Sequence, residues 1–197
     1  MIGTPIARTE GRVGGGHRFR INVDGNGEGD LTADLRDLSM IASDSADAVC
    51  AIHVFEHFYF WDAENVLKEW QRILKPGGFV ALIWNERQLD TNDFLREYER
   101  LLLKYATDYE KVRHENIDQQ KLGAFFQTGY ERATFANEQV LDFEGLRGRL
   151  ASSSYMPSED APSFPALEKE LFELFAKHSE KDRIKLLYDT NIYFKQY

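Results

Sequence analysis

The sequence predicts an α/β domain with a doubly wound, largely parallel sheet. Three observations carry this expectation. Residues 49–55 (Val-Cys-Ala-Ile-His-Val-Phe) and 79–84 (Phe-Val-Ala-Leu-Ile-Trp) are short, mostly apolar runs, as suits central strands buried on both faces. Between them Val66, Leu67, Trp70, Ile73 and Leu74 fall at i, i+1, i+4, i+7 and i+8, one apolar stripe of a helix. Strand, helix and strand in this space make a right-handed crossover unit.

Taken in order, residues 1–16 are expected to hold little regular structure. Gly14-Gly15-Gly16 reads equally as a place where backbone N–H groups approach an anion and as a flexible loop. Residues 19–23 alternate apolar and polar, as in a strand that Asp24 ends. A turn-rich loop over 25–29, a short strand over 30–35 and a connection over 37–44 lead to the central unit. There Asp62 is the expected N-cap, Glu64 adds negative charge to the first turn, and Pro76-Gly77 stops the helix.

Beyond Asn85, residues 92–106 predict a helix, with Phe94, Leu95, Tyr98, Leu101, Leu102 and Tyr105 as its apolar stripe. Residues 109–120 are polar and in part helical, and 122–126 form a short apolar piece. A strand over 130–135, extending towards Val140, precedes a helical turn or two over 143–150. The serine- and proline-rich stretch 152–165 is a loop, 166–178 a helix, and 184–197 a closing strand.

The 197 residues suit one domain with a sizeable core. Lys plus Arg number 24 and Asp plus Glu 33, a net charge of −9 that argues against nucleic acid as the main partner. No apolar run reaches the roughly 18 residues of a membrane span, and the N-terminus lacks the apolar core of a signal peptide. The one cysteine, Cys50, sits in an apolar strand and reads as a buried structural thiol in a cytoplasmic protein.

Ser45-Ala46-Asp47-Ala48-Val49, Phe55-Glu56-His57-Phe58 and Leu74-Lys75-Pro76-Gly77-Gly78, in this order and spacing, resemble class I S-adenosylmethionine-dependent methyltransferases of the type 11 kind. The resemblance implies a Rossmann-like sheet with an antiparallel last strand, here with an abbreviated N-terminal cofactor motif. It divides the chain into a cofactor-binding half (1–85), a helical substrate or lid region (86–128) and a C-terminal completion of the sheet (129–197). It also has two textures: 13–80 resembles a compact type and 82–197 a larger small-molecule type. A junction or shortening near 78–85 is the implied origin.

By the same resemblance Gly14, Gly15 and Gly16 form the cofactor's glycine motif, with Arg12 where an acid is usual. Asp24 matches the acid that holds both ribose hydroxyls, a task that suits an acceptor-only carboxylate; a turn-forming Asp before Gly25 is the alternative. Asp34 and Leu35 match the pair that reads adenine, by carboxylate and by backbone N–H. His53 matches the strand-end position beside the methionine part. A dinucleotide fingerprint fits less well, because Phe19 stands where its last glycine belongs.

Methyl transfer is an in-line displacement that asks an enzyme for alignment and exclusion of water. Where the acceptor must lose a proton, His57 is the candidate base, ahead of Tyr59 and Glu56. Phe55, Phe58, Trp84 and the 92–126 region line an apolar acceptor pocket or simply belong to the core. The expected function is methyl transfer from S-adenosylmethionine to a small molecule. The alternatives are a catalytically impaired or truncated binding or assembly module and, more distantly, a zinc hydrolase using His53-x-x-Glu56-His57. Only His17 and Arg18 separate Gly16 from Phe19, so no helix covers the sheet there. The exposed apolar face predicts a homodimer.

Overall fold

The computed structural model describes residues 6–13, 17–24, 31–32, 34–52, 62–107, 109, 119–127, 129–153 and 155–197, with side chains from Asp34 onward. Seven strands lie in the order β3-β2-β1-β4-β5-β7-β6. They are β1 (Ile6–Val13), β2 (His17–Asp24), β3 (Leu31–Thr32), β4 (Ala46–Ile52), β5 (Leu74–Arg87), β6 (Glu131–Leu141) and β7 (Ile184–Gln196). Among the described residues five helices accompany them: α1 (Ala63–Ile73), α2 (Asp93–Tyr105), α3 (Gln119–Phe126), α4 (Phe143–Ala151) and α5 (Phe164–His178). The chain forms two compact units. One holds Gly3–Asn85, Ile117–Thr134 and Thr190–Tyr197; the other holds Glu86–Asn116 and Phe135–Asp189. We call them the first and second unit.

In the first unit the expected crossover is present: β4 and β5 pair in parallel, Val49 against Val80 and Ile52 against Ile83, with α1 between them in sequence. The last strand is inserted beside β5 and is antiparallel to it, because Gly77 meets Tyr197 while Asn85 meets Thr190. Residues 6–13, expected to be irregular, instead form β1. This strand is antiparallel to β2 on one side and to β4 on the other. Ile-Ala-Arg-Thr-Glu-Gly-Arg-Val shows no clean alternation, and the strand exists through its two ladders rather than through local propensity. β2, β3, β4 and β5 therefore point one way, while β1 and β7 point the other.

The core of this unit lies on one face of the sheet. Val49, Ala51, Val80, Leu82 and Trp84 pack with Val66, Leu67, Trp70 and Ile73 of α1, with Leu122, Phe125 and Phe126 of α3, and with Leu35, Leu38 and Ile41. The stripe of α1 is fully buried, as its spacing requires. The opposite face departs from expectation. Ala48, Cys50, Ile52, Ala81, Ile83, Ile192 and Phe194 are only half-buried, and Phe79 is 41% exposed. Among the described residues both helices of the unit join the same core, so the strands are buried on one face, not two. Cys50 is accordingly half-buried rather than a core thiol.

The end of α1 also differs. Asp62 makes no side-chain cap; its carboxylate accepts from Asn65 Nδ2 and Arg36 Nη1 instead. The helix stops at Ile73, two residues short of Lys75, where the following Pro76 disfavours the α region. Leu74 is already extended and pairs with Ala46.

In the second unit α2, α4 and α5 enclose a separate core. Leu95, Tyr98, Leu102, Leu146, Leu167, Leu171 and Leu186 are among its buried side chains. Asn92 caps α2 by accepting from Leu95 N–H, and Asp142 caps α4 by accepting from Gly145 N–H.

Candidate functional site

Strand register decides which predicted residues share a location. Ala7 of β1 pairs with Val23 of β2 and with Ala51 of β4, so Val23 and Ala51 lie at one level of the sheet. One step further on, Asp24 pairs with Thr32, and Ile52 pairs with Ile83. The carboxyl ends of β2, β3 and β4 therefore lie at one edge, level with Ile83 of β5, the edge at which ligands bind in open α/β sheets. Asp24 is the last residue of β2, Asp34 and Leu35 follow β3, and His53 directly follows the end of β4.

Asp34 is held by its neighbour. Its carboxylate accepts from the Arg36 backbone N–H and Nε, each at 2.9 Å, and from Nη2 at 2.5 Å. The Arg36 hydrogen bonds keep its carboxyl below the usual aspartate range. Arg36 also donates to Asp62, the residue that precedes α1. Leu35 is anchored in the core at 4% exposure, which fixes the course of the backbone it shares with Asp34. Behind this segment Glu69 of α1 accepts from Leu38 N–H and from Arg72, and Arg72 donates to Leu38 O and Ser43 Oγ. Sequence reasoning passed over this clamp, although the i, i+3 spacing of Glu69 and Arg72 was its signal.

The flanks of the glycine segment lie away from this edge. Gly14, Gly15 and Gly16 lie outside the described residues, but they connect Val13 to His17, which pair with each other. That level is the far end of β1 and β2 from Asp24, about 20 Å away at the rise of a strand. The reversed direction of β1 is the cause. Gly14, Gly15 and Gly16, expected to share a cradle with Asp24 and His53, are thus described only through their flanks, Val13 and His17. His53, Phe55, Glu56, His57, Phe58 and Tyr59, and with them the His-x-x-Glu-His pattern, also lie outside the described residues. Among the described residues no cluster of three or more His, Cys, Asp or Glu could hold a metal.

Trp84 is fully buried and stacks on Tyr193 at 4.7 Å, so it is core. In the second unit sequence reasoning missed a polar and aromatic cluster. Arg87, at the end of β5, donates Nη2 to Glu99 Oε2 at 2.5 Å and to the Tyr109 hydroxyl at 2.7 Å; that hydroxyl donates to Glu99 at 2.8 Å. The guanidinium lies over the Tyr98 ring at 5.2 Å, and Tyr109 packs on Tyr155 at 4.8 Å. Burial pushes the Tyr109 phenol up to about 12, so it is a neutral donor at physiological pH. The partners are 12 and 22 residues from Arg87 in sequence, too far for a local pattern to reveal.

Residues 18–82 match the family described as methyltransferase domain. An uncharacterized methyltransferase-like protein of Schizosaccharomyces pombe is 26% identical over 139 residues, 68% of this chain and 52% of that protein. The chain thus spans about half the length of this curated relative. A solved structure from Anaeromyxobacter dehalogenans, presented as a candidate type II methyltransferase, superposes with a TM-score of 0.61 at 11% identity, over 88% of this chain and 78% of that one.

Proposed function

We propose that this chain, which belongs by sequence and fold with the class I S-adenosylmethionine-dependent methyltransferases, moves a methyl group from S-adenosylmethionine to a small-molecule acceptor. The observation that carries the proposal is the shared edge of β2, β3 and β4, with Asp24 at the end of β2 and Asp34 and Leu35 just beyond β3; His53 is the next residue in sequence after β4. On this edge the residues fit the nucleoside side of the cofactor. Asp24 offers a carboxylate to two vicinal hydroxyls. Asp34 keeps acceptor capacity on Oδ2, which takes one Arg36 hydrogen bond. The flanks of Gly14–Gly16 lie at the other end of β2, which gives no support to a glycine contact at this edge.

When bound, S-adenosylmethionine supplies a sulfonium methyl carbon open to displacement. The chain's own task is to align the acceptor, exclude water and, for a protonated acceptor, take the proton. We assign that last role to His57, with the cytoplasm as the working compartment. Calorimetric titration with S-adenosylmethionine and S-adenosylhomocysteine tests the assignment; Asp24→Ala should remove most of the affinity.

A second reading has one specific observation in its favour. Val13 and His17, which flank the glycine segment, lie at the far end of β2 from Asp24, as expected of a relative kept as a binding or assembly module. Cofactor binding without turnover on any acceptor would favour it.

A further inference from the structure

Asp34 stands at the start of a turn that carries its own lock. Its backbone O accepts from Asp37 N–H at 2.9 Å, so the chain reverses over Leu35 and Arg36. Leu35 and Leu38 are both buried in the core and hold the turn in place. The turn folds Asp34 Oδ1 onto Arg36 N–H, and the Arg36 side chain doubles back onto both oxygens of that carboxylate. Its other arm, Nη1, donates to Asp62 Oδ2 at 3.2 Å. Asp62 is fixed in turn by Asn65 of α1, whose Nδ2 donates to Oδ1 at 2.7 Å. A chain of hydrogen bonds therefore runs from α1 through Asp62 and Arg36 to Asp34.

The acceptor positions of Asp34 decide what this arrangement leaves open. A carboxylate offers about four lone-pair positions, two on each oxygen. Oδ1 takes two hydrogen bonds, from Arg36 N–H and Nε, and Oδ2 takes one, from Nη2. Acceptor capacity therefore remains on Oδ2, and the Asp34 side chain is 41% exposed, within reach of a ligand. Asp34 and Asp62 share one guanidinium, so the trio keeps a negative charge that favours a donor and disfavours an acceptor. The planar fork of arginine fixes the orientation of the carboxylate, which the point charge of a lysine would not do.

We propose that Arg36 is a positioning residue for adenine recognition: its fork, anchored by Asp62, holds Asp34 Oδ2 ready to accept from the exocyclic amino group of the base. Resting on the methyl-transfer reading, that base belongs to S-adenosylmethionine. Arg36 acts on the base through Asp34 alone. The consequence is selectivity. Adenine presents a donor at C6, whereas hypoxanthine presents an acceptor, which a carboxylate oxygen cannot satisfy.

The test is a set of calorimetric titrations of the intact chain with adenosine, inosine and S-adenosylmethionine. The ratio of adenosine to inosine affinity is the readout, because a merely structural loss lowers both affinities together. The unmodified chain should favour adenosine by about tenfold or more, the worth of one hydrogen bond to a charged group. Arg36→Gln should remove most of that preference, and Arg36→Lys, which keeps the charge without the fork, should not restore it. Asp62 makes no cap hydrogen bond to α1, so Asp62→Ala reads the same link should Arg36→Gln fail to fold, and it too should lower the ratio. No saturable nucleoside binding, equal affinity for adenosine and inosine, or a preference that Arg36→Gln, Arg36→Lys or Asp62→Ala retains in full would each overturn the proposal. An Arg36-dependent preference without binding of S-adenosylmethionine would sink the methyl-transfer reading alone. Binding of S-adenosylmethionine without an Arg36-dependent preference would sink the positioning role alone.

Discussion

Glu69 and Arg72 stand three residues apart on α1 and together hold the segment that carries Asp34 and Leu35. Glu69 accepts from Leu38 N–H at 2.8 Å and from Arg72 Nη2 at 2.7 Å. The Arg72 hydrogen bond, opposed by burial, holds the Glu69 carboxyl below its usual range. A carboxyl depressed in the folded state stabilises above its unfolded pKa, near 4.3, and the benefit drains as pH falls through the folded value. Glu69→Gln should therefore cost about 1.5–3 kcal/mol at neutral pH, the worth of a hydrogen bond to a charged group. The gap in melting temperature between wild type and variant should shrink on acidification below about pH 4. Thermal melts across a pH series check this; a gap that stays constant down to pH 2 would remove Glu69 from the account. Asp34 was legible in the sequence as a candidate, but its Arg36 partner was not weighed, although two residues' separation permits the fork that the structure contains.

At the scale of elements, the turn into β5 explains Leu74-Lys75-Pro76-Gly77-Gly78. Gly77 has φ +80°, a region costly for any side chain. At Gly78 a Cβ would lie 3.0 Å from Lys75 O and 3.1 Å from Asp47 O, both backbone atoms. Gly78→Ala should destabilise by about 1–3 kcal/mol. Gly148→Ala, in a helix with open space around it, should stabilise by about 0.5–1 kcal/mol. Urea unfolding of both variants reads the opposite signs; equal signs would contradict the packing described here. Most helices and strands after residue 45 were legible because apolar periodicity reports burial. β1 was not, since its strand state comes from pairing with β2, up to 16 residues away, and with β4, 35 to 46 residues away. The alternation of β7 also slips by one, from buried Ile184, Leu186 and Tyr188 to buried Asn191 and Tyr193. The slip falls where the chain passes from the second unit to the first, at Asp189–Thr190.

At the scale of the molecule, the direction of one strand governs the site. With β1 reversed, Asp24, Asp34, Leu35 and the end of β4 keep their common edge while the flanks of the glycine segment leave it. The same region leaves a half-exposed apolar face at Ala48, Cys50, Phe79, Ala81 and Ile83. We expect a second copy to cover it, so light scattering at micromolar concentration should give twice the 22.8 kDa of one chain; a mass near one chain would end that expectation. The central claim is that the shared edge binds the cofactor through an incomplete cradle, and calorimetry with S-adenosylmethionine tests it most directly. The account predicts saturable binding weaker than about 1 µM, or about 8.2 kcal/mol. Asp24→Ala should reduce it by the loss of charge-assisted hydrogen bonds worth about 1.5–3 kcal/mol each. Submicromolar affinity, no saturable heat, or a titration that Asp24→Ala leaves unchanged would contradict the account.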